Sequence, residues 1–203
     1  MLQAEAHEKI KSVHERLLLS GKKLFAANGF ENTTTSAIAR DCGTSESQLI
    51  KYFQSKEGLL RAIFEDGWGR LAFIFAAASV SKGPEDSLRV IFELIVKALH
   101  EDHELRDLML FEGRRIRSKS SDVLLTDGYF KLVKAVESQA ALVLENSSLK
   151  DKVSPRAAAS ALIGMLESML RDQAIAERQA GKSIPSPEEI RVMFYALIQS
   201  WAI

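Results

Sequence analysis

Cysteine occurs once in the 203 residues, at Cys42, which excludes an internal disulfide and any metal cluster built from cysteine alone. Proline is almost as scarce. Pro84, Pro155, Pro185 and Pro187 each fall where a helix boundary is expected, so long helices run uninterrupted between them. No stretch alternates apolar and polar residues with β-branched side chains, so strands have no support. Long hydrophobic runs are missing too. The longest, Leu71 to Ala78, is far short of the roughly 18 residues that a membrane span requires, and no signal-peptide core is visible; a cytoplasmic protein without a membrane partner is expected. Neither sign of charge is in excess, because 27 basic residues meet 27 acidic ones. There is no repeat and no low-complexity tract.

What is present is an ordinary globular composition, 46% hydrophobic and 27% charged, patterned with helical periodicity. His100 and His103 are three apart and can share a helix face, but no third ligand accompanies them; neither a metal nor a cofactor is expected. Nucleotide-binding and zinc-protease fingerprints and the nucleophile elbow are all absent, so no catalytic residues are assigned and an enzyme is not expected.

The spacing predicts an all-α chain of about nine helices. The first runs from about His7 to Asn28, with Ile10, Val13, Leu17, Leu18, Leu24 and Phe25 as its stripe and Gly29 as its stop. Thr33 or Thr34 caps a short helix over 35–41, and Cys42-Gly43-Thr44 forms a tight turn. A helix over 45–53 follows, opened by Ser45 and Gln48 at capping-box spacing. Later helices are expected over 56–80, 84–100, 104–116, 122–145, 155–180 and 187–201. Pro84, Pro155 and Pro187 suit first helical positions.

Ala39, Gly43 and Leu49 carry the functional argument. Where two helices cross over a short turn, the first needs a small residue at the crossing, and the turn needs one tolerant of left-handed dihedrals. The second helix must bury an apolar side chain against the first. Ala39, Gly43 and Leu49 meet these needs, with Ile38 and Phe53 in support. The flanks narrow the reading. Leu24-Phe25, Gly29-Phe30, Thr33-Thr34, Ile38-Ala39, Gly43, Ser45, Leu49, Tyr52-Phe53, Lys56-Glu57 and Leu59 together closely resemble the TetR family of helix-turn-helix transcriptional regulators.

That resemblance implies a three-helix DNA-binding domain over 1–56 and a helical ligand-binding and dimerisation domain over 57–203. It implies a homodimer on a double-stranded DNA operator, acting as a repressor that a small, partly apolar effector releases. An activator of the same fold, or an all-α adaptor whose helix-turn-helix binds protein, are the alternatives. By position, Thr35, Thr44, Ser45, Lys51, Tyr52 and Lys56 would meet phosphates, while Glu46, Ser47 and Gln48 would face bases. Gln48 can pair with adenine and Glu46 can accept from cytosine N4. There are two departures from the family pattern. Ile50 stands where a tyrosine is usual, and Glu46 brings a carboxylate toward phosphates. Residues 1–60 hold eight basic side chains against seven acidic ones, leaving only about +1.

In the second domain Phe64, Trp68, Leu71 and Phe75 form one stripe. Phe64, Trp68, Phe92, Met109, Phe111 and Tyr129 are the candidate effector-pocket residues, alongside a basic run at Arg114, Arg115, Arg117 and Lys119. The last two helices are expected to pair with their copies through Leu162, Met165, Met169, Met193, Phe194, Leu197 and Trp201. Small residues at Ala157, Ala158, Ala161, Gly164 and Ser168 permit the close approach.

Overall fold

The computed structural model describes residues 12–78, 83–113, 126–179 and 185–201. Among these there are nine helices and no strand. The chain forms two compact units, 1–63 and 64–203, and the division falls inside a helix rather than at residue 56.

Unit 1 contains α1 (Val13–Asn28), α2 (Thr35–Asp41), α3 (Glu46–Phe53) and the start of α4 (Lys56–Ala78). α1 is described from Val13, where Ser12 and Glu15 close a reciprocal capping box; the expected start near His7 lies outside the described residues. The Ser12 amide donates to Glu15 Oε2 at 2.7 Å and the Glu15 amide to Ser12 Oγ at 3.2 Å. At the other end Gly29, at φ 80°, sends its amide back to the Phe25 carbonyl. The two threonines after it divide the work. Thr34 caps α2, accepting from the Ala37 amide, whereas the buried Thr33 turns back and donates to the Leu24 and Gly29 carbonyls at 3.1 and 2.8 Å.

Gly43, at φ 68°, makes the corner between α2 and α3, and the Thr44 amide closes it on the Ala39 carbonyl at 2.9 Å. Ser45 caps α3 through the Gln48 amide, and Ser55 Oγ accepts from the Gly58 amide at the start of α4. The core of this unit is Leu17, Phe25, Phe30, Ile38, Ala39, Leu49, Phe53, Leu59, Leu60 and Ile63.

Unit 2 holds the rest of α4 with α5 (Pro84–Glu101), α6 (His103–Phe111), α7 (Asp127–Leu144), α8 (Pro155–Arg178) and α9 (Pro187–Trp201). Pro84 and Pro155 sit in first turns, as their missing N–H permits. Ser154 caps α8, and Ser186 with Glu189 completes a second capping box at α9. α7 packs on α5 and α8, α6 on α5 and α8, and α9 on α5 and α8. Gly128 lets the start of α7 approach α4 closely, since a methyl there would fall 2.8 Å from Trp68 Cβ and 3.0 Å from the Gly69 nitrogen. No helix among the described residues is long and apolar enough to cross a membrane.

Candidate nucleic-acid interface and effector cavity

The reading helix α3 is two-faced because its apolar residues recur one turn apart. Leu49 and Phe53 are buried, while Ser45, Glu46, Ser47, Ile50, Lys51 and Tyr52 are exposed; Thr35, Thr44, Gln48 and Lys56 are half-buried. Its leading end therefore stands free, with first-turn amides that lack helical partners. Between α1 and α2 the buried Ser20 hydroxyl lies in bonding range of both the Ile38 carbonyl (3.1 Å) and Asp41 Oδ2 (2.8 Å), and Lys23 reaches Asp41 Oδ1 at 2.9 Å. Those hydrogen bonds, from Lys23 first and then Ser20, hold the Asp41 carboxyl below its ordinary range. Burial, conversely, pushes the Cys42 thiol up, away from nucleophilic character.

Several of the sequence-predicted DNA contacts already have partners. Thr35 Oγ1 donates to the Glu46 carboxylate, so these two stand as a pair. Lys56 Nζ donates to the Phe30 and Glu31 carbonyls at 2.9 and 3.4 Å and lies 4.3 Å from the Phe30 ring centre. Tyr52 meets the His14 ring edge-on at 5.6 Å, and His14 in turn lies against Phe53 at 4.8 Å. His14, Ser20 and Asp41 were not foreseen as parts of this site. Ser20 had a signal, a hydroxyl placed inside the apolar stripe of α1.

The exposed Glu46 gives a direct test. Glu46→Gln should raise affinity for any duplex by about fivefold at low salt, since one like charge about 4 Å from a phosphate costs roughly 1 kcal/mol in water. Fluorescence anisotropy with unrelated duplexes measures it. An unchanged affinity would place the carboxylate away from the backbone.

In unit 2 an apolar cavity of about 70 Å³ lies among α4 to α9. Trp68, Phe92 and Met109 line it, with Leu71, Leu162 and Phe194. The other three candidates lie elsewhere. Phe64 is buried in the core, Phe111 lies under Arg178 at 5.1 Å, and Tyr129 abuts Trp68 edge-on at 5.2 Å. The basic run over 114–119 lies outside the described residues. A second, more polar groove of about 400 Å³ is bordered by Glu93, Lys97, His100, Arg106, Gln173 and Arg191, among others. Arg191 bonds Glu93 at 2.6 Å and also pairs with Glu188, and Tyr195 donates to Glu93 at 2.7 Å. Burial and the neighbouring Glu93 push the Tyr195 phenol up to about 12.

Arg106 and Glu177, which sequence reasoning missed, form an ion pair between a buried guanidinium and a partly exposed carboxylate. The signal was a cation set in the apolar stripe of α6, between Leu105 and Met109. His100 and His103 meet edge-on at 5.4 Å, and among the described residues no three His, Cys, Asp or Glu side chains gather as a metal site.

The residues expected at a dimer contact fall into two sets. Leu162, Phe194 and Trp201 are buried within unit 2, and Phe194 stacks on Phe92 at 4.0 Å. Met165, Met169 and Leu197 are half-buried, and Met193 is exposed beside the exposed Val192. A methyl at Gly164 would meet no atom within 4 Å.

Comparison with known proteins agrees with this arrangement. The family model described as bacterial regulatory proteins, tetR family, matches residues 17–63. A fatty acid metabolism regulator protein of Bacillus subtilis (strain 168) is 21% identical over 150 residues, covering 71% of this chain and 75% of that protein. The crystal structure of the transcriptional regulator FadR from Bacillus subtilis, in complex with stearoyl-CoA, superposes with a TM-score of 0.77 at 13% identity, covering 94% of this chain and 99% of the other. The fatty acid degradation regulator FadR from Bacillus halodurans does so with a TM-score of 0.76 at 16% identity, covering 93% and 97%.

Proposed function

We propose that this chain, a TetR-family helix-turn-helix DNA-binding regulator, is a homodimeric repressor that leaves its operator when a long-chain apolar effector enters unit 2. The observation that carries the DNA half is the free leading end of α3, held over a buried Leu49 by the Gly43 corner. On this reading Ser45 to Tyr52 lies in the major groove. Glu46, Ser47 and Gln48 face base edges, and Thr35, Thr44, Ser45, Lys51, Tyr52 and Lys56 lie toward phosphates. Lys56 and Thr35 would exchange their present partners for phosphate oxygens as DNA arrives. The exposed Val192 and Met193 and the open seam at Gly164 support pairing of α8 and α9 with a second copy, which would set two reading helices about 34–36 Å apart or a multiple of that.

The effector half rests on the apolar cavity and on the likeness to regulators of fatty acid metabolism. A 70 Å³ void is well below the roughly 300–1,000 Å³ of ordinary ligand pockets, so an acyl chain enters only by displacing side chains. Met109, with its flexible thioether, and Ile163 and Leu166 are placed to move. Binding energy spent on that rearrangement is what would couple occupancy to the spacing of the two heads.

Selection of bound fragments from genomic DNA, followed by gel shift on the enriched fragments with and without stearoyl-CoA, tests both halves. Enrichment of a palindrome and its release by the ligand are expected; an adaptor would enrich nothing, and an activator would raise rather than lower transcription from the bound promoter. Gln48→Ala should relax preference at one base pair per half-site, costing about 1–3 kcal/mol on that operator alone. A uniform loss across all sequences would move Gln48 to the phosphate set.

A further inference from the structure

The apolar cavity and the polar groove share Arg106 and Leu170 in their walls. Arg106 is 4% exposed, and every nitrogen of its guanidinium is committed. Nη1 and Nη2 donate to the two Glu177 oxygens at 3.1 and 2.6 Å, and Nε donates to Asp107 Oδ1 at 3.0 Å. Asp107 also holds Arg178 through its second oxygen, at 2.6 Å. Burial works against the charge of Arg106, but the hydrogen bonds it donates to Glu177 and Asp107 outweigh that and hold the guanidinium charged.

The pair is asymmetric. Glu177 is 47% exposed at its side chain and loses little by turning into water, whereas Arg106 has no such exit. A forked pair of parallel N–H···O bonds is also a geometry that any carboxylate or phosphate can reproduce. Beyond Arg106 the groove is bordered by Lys97, which pairs with Glu101 at 3.9 Å, by His100, and by Arg191, which Glu93 and Glu188 hold. The cavity on the other side is walled almost entirely by apolar residues.

We propose that Arg106 is the residue that recognises the effector's anionic group: an amphiphile lays its tail in the apolar cavity and its carboxylate or phosphate on Arg106, displacing Glu177 and breaking one of the two ion pairs that tie α8 to α6. Glu177 is then an internal stand-in that keeps the buried cation paired while the site is empty. This rests on the effector reading above and adds to it the headgroup charge and the residue that selects it. Because α8 also carries the small-residue seam proposed to meet a second copy, the displaced pair lies on the helix through which occupancy would reach the dimer.

The test uses the full chain with stearate, stearoyl-CoA and octadecanol, three ligands that share one tail, titrated against tryptophan fluorescence in a Trp201→Phe background that leaves Trp68 in the cavity wall as the reporter, and checked by calorimetry on the parent chain. An anionic ligand should bind at least about tenfold more tightly than the alcohol, as a charge-assisted pair replaces Glu177. Stearate preferred over octadecanol assigns a carboxylate to Arg106; a preference for stearoyl-CoA alone, whose phosphates stand a full pantetheine arm from the acyl chain, overturns it. Glu177→Gln, at the exposed end of the pair, should tighten anion binding by about tenfold and leave the alcohol unchanged, because it removes the competitor and not the receptor. Arg106→Gln should erase the difference between anion and alcohol. Equal binding of all three ligands, or a Glu177→Gln variant whose anion affinity does not move, overturns the role of Arg106 while leaving the effector site intact. Binding of none of them overturns the effector reading itself, and this inference with it.

Discussion

Leu49→Ala should abolish operator binding by melting the reading head rather than by removing a DNA contact. Leu49 is fully buried on the inner face of α3, which packs on α2 and α1. Truncating a buried leucine costs about 2–5 kcal/mol. A unit of this size has only roughly 3–9 kcal/mol in total, at about 0.05–0.15 kcal/mol per residue. The substitution therefore consumes much or most of the unit's stability while leaving every exposed residue of α3 in place. Thermal melting followed by circular dichroism should show an early transition moved down or lost, and gel shift at physiological temperature should fail. Ser47→Ala, on the exposed face of the same helix, should leave the melt unchanged. If Leu49→Ala melted like the parent chain and still bound DNA, α3 would not be braced as described.

The second large effect is expected at Phe92. This ring is buried, stacks on Phe194 at 4.0 Å and borders the apolar cavity. Phe92→Ala should destabilise unit 2 by about 3–5 kcal/mol, since the vacated volume joins an existing void and packed helices collapse only partly around it. The same change should enlarge the room for an apolar ligand. A long-chain ligand at about a hundred times its Kd would then restore about 2.7 kcal/mol. The expected signature is a variant that melts early alone and recovers with ligand, with affinity no weaker than that of the parent chain. A destabilised variant that no acyl ligand rescues would mean that the cavity is a packing defect and not a binding site.

Both predictions bear on how much of the molecule could be read before its structure. The helix-turn-helix was legible because its requirements are local: a small residue at a crossing, a positive-φ corner at Gly43 and an apolar residue ten positions after Ala39. The capping box that starts α1 at Ser12 obeys equally local rules and was present in the sequence at Ser12 and Glu15, but an apolar stripe that continued upstream to Ile10 obscured it. Thr33 and Thr34 show the limit of local chemistry. Both can cap a helix, and the choice between them was made by whether the hydroxyl met a free amide of α2 or the carbonyls ending α1.

In unit 2 the sequence stripe at Phe64, Trp68, Leu71 and Phe75 identified a buried helix face, yet of these only Trp68 and Leu71 reach the cavity. Which buried residue borders a void depends on how the helices facing it pack, and periodicity on one helix carries no information about that. Arg106 makes the same point for charge. Its place on an apolar stripe marked it as unusual and Asp107 stands beside it, but its forked partner Glu177 lies 71 positions away on α8.

The amino-acid order thus determined the helices, their caps and the reading head, because those depend on neighbours within a turn or two of the chain. The packing of distant helices decided which side chains line a cavity, which stay exposed on α8 and α9, and which carboxylate neutralises a buried cation. Those outcomes are settled by contacts between residues far apart in sequence, where desolvation and shape outweigh any local preference.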